Sequence, residues 1–285
     1  MAQTDVIAAL QQYRQQDTPC ALVILVDSEG SVPAKPGAKM LVAADGSTVG
    51  TVGGGGLEQQ ATEMALEIMT TGVTRTIQLH LTEESGYACG GHVSLYLEPI
   101  LPAPRLIICG AGHVGQALCH IAVYAGFAVT VIDDREEFLT EELLPQAQYK
   151  MVSDFTEPFN HLNVDERTYI VICTRGHTHD FQLVEQALVI TPATYIGMLG
   201  SRSKRTTLIE KLSAAGLDHQ QIEARLHTPV GLDIGGQTPQ EIAISIVAQL
   251  IAQRRCHGSQ IGGAAARSRS LAAYGTDKTT APCAG

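Results

Sequence analysis

The chain has 285 residues, 45% of them hydrophobic, with 28 glycines and no tryptophan, enough to bury one large core or two smaller ones. Against 29 Asp and Glu, 19 Lys and Arg leave a net charge of −10, which excludes a broad basic surface for nucleic acid. Seven cysteines, scattered and without a CxxC pair, point to reduced thiols in a cytoplasmic protein and away from a structural zinc site.

The first residues, MAQTDVIAALQQYRQQ, lack the basic start and apolar run of a signal peptide; Val6, Leu10 and Tyr13 predict a short amphipathic helix. CALVILVD, residues 20–27, reads as a buried strand. AKMLVA, DGS and TVGTV then read as strand, tight turn and return strand. Leu57, Ala61, Met64, Ala65 and Ile68 recur at helical spacing, and RTIQLHL and VSLYLEPI predict two further strands. LPAP, residues 101–104, punctuates the chain and predicts an N-terminal α/β domain over 1–103.

From Arg105 the rhythm becomes strand, helix, strand. The longest apolar region, Leu106 to Ile132, is broken by His113, Gln116, His120 and glycines, so it fits a buried strand–helix–strand rather than a membrane span. TYIVICT and ATYIGML are further strand-length runs. The alternation implies a doubly wound parallel sheet, a Rossmann-like domain over 104–256. TPQE starts the last helix, with Thr238 as cap, Pro239 in the first turn and Glu241 closing a capping box. Residues 257–285 carry little apolar periodicity and are expected to form a low-complexity tail.

ICGAGHVGQAL places Gly110, Gly112 and Gly115 between a predicted strand and helix, with Asp133 closing the next strand. This is the dinucleotide-binding fingerprint. The glycines allow a tight turn, backbone approach to a pyrophosphate and close helix packing. Asp133 could accept from ribose hydroxyls, and Arg135 keeps NADP open beside NAD. A working NAD(P) site and an inherited fold with a different phosphorylated ligand both remain open. Two later loops leave the same sheet ends. TRGHTHD carries Arg175, His177, His179 and Asp180; GSRSKR carries Ser201, Arg202, Lys204 and Arg205, a hydroxyl cap with basic side chains suited to an anion. All are expected to face one crevice. His177 and His179 suit hydrogen bonding to a polar ligand better than metal binding.

In the N-terminal half, Gly53, Gly54, Gly55 and Gly56 precede a helix, where backbone could approach a ligand or another chain. Glu58 is then either a first-turn helix carboxylate or a ligand contact. ACGGH sets Cys89 beside Gly90, Gly91 and His92, so Cys89 is either a small buried residue or a reactive thiol.

Together GSVPAKPGAKMLV, GTVGGGGLE, ACGG, CGAGHVG with VIDDR, TRGHTHD, YIGMLGSRSK and TPVGLDIGGQTPQEIAISIVAQL resemble, in order, the XdhC/CoxI family, accessory proteins for maturation of xanthine dehydrogenase and related molybdenum hydroxylases. The resemblance runs from about Val23 to Gln253. It implies a non-catalytic chaperone that binds the molybdenum cofactor (molybdopterin), protects it while a cysteine desulfurase sulfurates it, and inserts it into the client hydroxylase. It implies a cytoplasmic homodimer, with neither nucleic acid nor membrane as partner. Carried over, the 53–56 segment with Glu58 and the Cys89-Gly90-Gly91 turn would contact pterin or molybdenum. The crevice with Gly110, Gly112, His113, Gly115, Asp133, Arg135, Arg175, His177, His179, Ser201, Arg202 and Lys204 would hold a phosphorylated ligand. Many CoxI-like relatives have a cysteine where this chain has Gly56, which leaves Cys89 as the thiol that could meet the metal. The rival readings are an NAD(P)-dependent oxidoreductase with His177 or His179 as acid–base, and a nucleotide-sensing interaction module.

Overall fold

The computed structural model describes residues 3–30, 32, 34–81 and 91–260; for residues 3–5, 177, 178 and 256–260 only the backbone course is described. Cys89 and Gly90, and the tail from residue 261, lie outside the described residues. The chain divides into two compact units, the first taking the residues up to Pro102 together with 255–260, and the second Ala103–Arg254.

The first unit is built on an antiparallel sheet. Its elements are α1 (Gln3–Gln15), β1 (Cys20–Gly30), β2 (Lys39–Ala43), β3 (Thr48–Gly50), α2 (Gly55–Thr71), β4 (Arg75–Leu81) and β5 (Gly91–Ile100), with strand order β3-β2-β1-β5-β4. Val23 and Leu25 on β1, Leu95 and Leu97 on β5, and Leu57, Ala61, Ala65 and Ile68 on α2 form one core, which explains the helical spacing of the α2 residues. On the other face Val6, Leu10 and Tyr13 of α1 pack against Cys20, Leu22 and Leu41. Strand β1 outruns its apolar stretch. After a register shift between Leu25 and Asp27 it continues through Glu29, opposite His92, to Gly30, opposite Gly91. Gly91 is thus a strand residue, paired also with Leu81 of β4, and not part of a turn as the sequence suggested.

The second unit holds β6 (Arg105–Cys109), α3 (His113–Tyr124), β7 (Ala128–Asp133), β8 (Tyr149–Val152), β9 (Thr168–Ile172), α4 (His177–Ile190), β10 (Tyr195–Met198), α5 (Arg202–Ala214), α6 (His219–Arg225), β11 (Leu226–His227) and, as far as Arg254, α7 (Pro239–Gln260). All six strands are parallel, in the order β11-β10-β9-β6-β7-β8. Numbered within this unit, that is 3-2-1-4-5-6, the order of dinucleotide-binding domains. Helices α3 and α7 cover one face, whereas α4, α5 and α6 cover the other. Between them Leu106, Ile108, Val171, Ile170 and Ile172 are fully buried, as a sheet covered on both faces requires. The capping box forms as expected: Thr238 N–H donates to Glu241 Oε2 at 2.9 Å, and Glu241 N–H returns a bond to Thr238 Oγ1 at 3.3 Å.

The end of α4 is closed from a distance. Arg225, the last residue of α6, donates to the carbonyls of Ala187, Leu188, Thr191 and Ala193 at 2.7–3.2 Å, satisfying acceptors that a helix end leaves bare. Replacing it by Met keeps most of the volume and removes these charge-assisted bonds. We expect Arg225→Met to cost about 2 kcal/mol, read as a lower urea midpoint at unchanged slope.

Candidate functional site

The order of strands reverses between β6 and β9, and the loops leaving these two strands meet there, where ligands bind in this architecture. The glycine loop is shaped by contact. Gly110 has φ +117°, and a Cβ on it would lie 2.5 Å from the Cys173 carbonyl oxygen. A Cβ on Gly115 would lie 1.9 Å from the Gly110 carbonyl oxygen, so α3 presses onto the loop as no other residue would allow. Gly112 is different. It is the N-cap of α3, without a side-chain cap bond, and a Cβ there would meet nothing within 4 Å. The open end of α3 therefore faces space, with His113 exposed beside it.

Asp133 is 1% exposed and already committed. Its Oδ2 accepts from Ala111 N–H at 2.6 Å and from Arg135 Nη2 at 3.0 Å; its Oδ1 accepts from Arg135 N–H and Nε at 3.0 and 2.8 Å. The Arg135 guanidinium lies 3.9 Å from the centroid of the Phe138 ring. The carboxylate expected to meet ribose hydroxyls thus ties the glycine loop to an arginine. Burial opposes its charge, but the bonds from Arg135 and Ala111 outweigh burial and hold the carboxyl below its ordinary value.

Asp134, not among the residues expected at the site, joins two loops across the switch point. Its Oδ2 lies 2.7 Å from Arg175 Nη2, and its Oδ1 lies 3.6 Å from Arg135 Nε. The VIDDR motif contained the signal: a second carboxylate at a strand end, facing a loop with an arginine. His177 and His179 open α4 and do not sit on a loop. Among the described residues no group of three His, Cys, Asp or Glu could hold a metal ion. His179 packs 5.4 Å from the Phe155 ring, and the His177 side chain lies outside the described residues.

The third loop is only partly directed at the crevice. Ser201 caps α5, accepting from Lys204 N–H at 3.3 Å. Arg202 is 87% exposed and 3.6 Å from Asp233, an arrangement of little energetic weight. Arg205 pairs with Glu223 of α6, and Asp180, 8% exposed, accepts from the Thr174 hydroxyl at 2.7 Å; both serve the fold, contrary to the expectation that all these side chains face one crevice.

In the first unit the glycine segment is a turn with Gly53, Gly54 and Gly55 at φ +137°, +78° and +57°, a run only glycine tolerates. Glu58 holds it. Its Oε1 accepts from the Thr51 hydroxyl, from Val52 N–H at 3.3 Å and from Gly54 N–H at 3.0 Å. The turn 51–56, the start of β5 and the ends of β1 and β4 lie at the same end of the sheet, because β3 and β4 both run toward it. His92 of β5 meets His80 of β4 there, with ring centroids 4.2 Å apart. The described thiols are unsuited to chemistry: burial pushes Cys119 up to about 11, Cys173 up to about 12, and Cys109 well above its ordinary value.

Two family models match the chain. One, described as the XdhC Rossmann domain, covers residues 106–250, and the other, the XdhC and CoxI family, covers 13–80. The chain belongs to the XdhC and CoxI family. An uncharacterized protein YqeB of Escherichia coli is 34% identical over 84% of this chain and 44% of its own length. A probable xanthine dehydrogenase subunit of Bacillus subtilis is 31% identical over 57% of this chain and 46% of its own. The chain thus spans less than half the length of these two relatives. The molybdenum cofactor insertion chaperone PaoD of E. coli is 23% identical over 82% of this chain and 83% of its own. A crystal structure described as a xanthine dehydrogenase from Bacillus halodurans matches with TM-score 0.50 and 25% identity, covering 91% of this chain and 98% of that one. No helix among the described residues is long and apolar enough to cross a membrane.

A carboxyl whose pKa falls on folding stabilises the fold above its unfolded value, about 3.9, and that share is lost as pH drops through the folded value. Asp133→Asn should therefore lower the melting temperature at neutral pH and flatten the loss of stability below about pH 4. Thermal melts across that range check it; an unaltered acid limb would mean that Asp133 does not anchor the loop.

Proposed function

We propose that this XdhC/CoxI protein binds the molybdenum cofactor and serves its insertion into xanthine dehydrogenase or a related molybdenum hydroxylase, acting as a carrier. Family membership supports this, as does the likeness to PaoD along most of both chains. The observation in the fold that carries it furthest is the commitment of Asp133. An NAD-dependent dehydrogenase needs that carboxylate for ribose, and here both oxygens are taken by Arg135 and Ala111. What stays open is the N-terminus of α3 at Gly112, with Arg175 62% exposed on the neighbouring loop, a combination that suits a phosphate without requiring a dinucleotide.

In this reading residues 1–103 form the family's N-terminal domain, 104–256 the Rossmann-like domain and 257–285 a tail. The turn 53–56, Glu58 and the Cys89-Gly90-Gly91 segment serve the metal-bearing end of the cofactor. The phosphate is met at Gly110, Gly112, His113 and Gly115, and by Arg175, Ser201 and Arg202. Sulfuration by a cysteine desulfurase, a homodimeric state and a cytoplasmic site of action belong to the same proposal. The second reading, an NAD(P)-dependent oxidoreductase, draws on the strand order and the open Gly112.

Equilibrium binding of anaerobically prepared molybdenum cofactor, with NAD(H) and NADP(H) titrated in parallel, separates the two. The carrier reading expects roughly stoichiometric cofactor binding, weakened about tenfold when Arg175 is changed to Ala, the loss of one charge-assisted contact. Cys89→Ala should weaken cofactor retention without unfolding the chain. Nicotinamide binding with no cofactor binding would turn the assignment to the oxidoreductase.

A further inference from the structure

A cleft of about 270 Å³ lies between α4 and α5, outside the end of β10 and one strand beyond the switch point. Its apolar lining comes from Phe181, at the start of α4, and from Met198 and Leu208, which are 4% and 5% exposed. The other wall is one face of α5, where Lys204, Thr207, Leu208 and Lys211 recur at i, i+3, i+4 and i+7. Lys211 Nζ stands 5.6 Å from the centroid of the Phe181 ring. Two lysines against the single carboxylate of Asp180 leave the lining positive, although the protein as a whole carries −10.

These features select a ligand by size, shape and charge. The volume falls just short of pockets that take drug-sized molecules, about 300–1,000 Å³, so one ring system fits and a dinucleotide does not. Phe181 offers an aromatic edge and face, Met198 and Leu208 an apolar floor, and Thr207 a hydroxyl. The two ammonium groups are one full heptad apart on the helix, roughly 10 Å at 1.5 Å per residue, so a flat ring with a short charged arm reaches between them. A neutral apolar guest would gain nothing from the lysines, and a bare anion nothing from the floor.

We propose that this cleft binds a planar heteroaromatic ring bearing one anionic arm, the ring against Phe181 and the arm between Lys204 and Lys211, at a site separate from the glycine-loop crevice. This goes beyond the carrier reading, which sets the cofactor phosphate at the glycine loop, and the ligand of the cleft is a second, smaller one.

The test titrates the full chain with 6-carboxypterin, followed by its fluorescence, and with neutral pterin and inorganic phosphate as controls. The charged ring should bind at least about tenfold more tightly than either control. Lys211→Gln, at an exposed position, and Phe181→Leu should each weaken it by about the same factor, with thermal melts reporting the fold; should Phe181→Leu unfold, Lys211→Gln decides. Excess NADP should leave the probe in place. No binding of 6-carboxypterin, a Lys211→Gln curve superimposed on that of the unsubstituted chain, or competitive displacement by NADP would each overturn the proposal. Failure of the carrier reading is distinguishable: the chain would then bind 6-carboxypterin in the cleft but not the molybdenum cofactor. Conversely, a Lys211→Gln chain that loses 6-carboxypterin and keeps the molybdenum cofactor supports a second site and leaves the carrier reading standing.

Discussion

The second unit depends on the contact between the first turn of α3 and the carbonyl of Gly110. A single methyl group on Gly115 would place carbon 1.9 Å from that oxygen, so the helix can approach only because the side chain is absent. The approach brings α3 down onto β6 and β9, whose alignment is kept by the bond from Cys173 N–H to the Cys109 carbonyl at 2.8 Å. Asp133 then holds the loop from the neighbouring strand through Ala111. With the loop fixed, the open end of α3 becomes a directed set of donors instead of a frayed helix end.

Both glycine-rich turns of this protein are held by a carboxylate, and the difference between them is electrostatic. Asp133 is neutralised by a bidentate Arg135, so the loop around Gly112 keeps the attraction of a helix N-terminus for an anion. Glu58 binds the N–H groups of Val52 and Gly54 with no cation paired to it among the described residues. An anion approaching Gly53–Gly56 would therefore meet a negative charge and donors already engaged. In the proposed reading the first unit would therefore meet its end of the cofactor through neutral polar contacts, and a phosphate would find complementary charge in the second.

Periodicity and punctuation made most of the architecture readable. Leu57 to Ile68 announced α2, the capping box announced α7, and the alternation after Arg105 announced the parallel sheet, because these patterns report burial on one face or two. The short strands β8 and β11 escaped. Tyr149 and Val152 of β8 are half exposed, and β11 is two residues long, so neither leaves an apolar signature. The site was legible in residue type but not in partner. That Asp133 would be spent on Arg135, that Asp134 would bridge to Arg175, and that Arg225 would close α4 all depend on contacts between distant segments. HTHD misled for a local reason: Gly176 is in an extended conformation and the helix begins at once after it.

The two positive features of the second unit are set apart by the sheet itself. Helix α3, with the glycine loop at its start, packs with α7 on one face, whereas Phe181 and the lysine-bearing side of α5 belong to the other. A parallel sheet covered on both faces gives access only at the ends of its strands. A ligand at Gly112 and a ligand in the cleft therefore approach the same edge from opposite sides of the strands. Neither needs to displace the other. The fold provides for two anionic groups, or for one ligand and a separate effector, without any change in its core; which of these it uses is decided by Arg175 and Asp134 on one side of the crest and by Lys204 and Lys211 on the other.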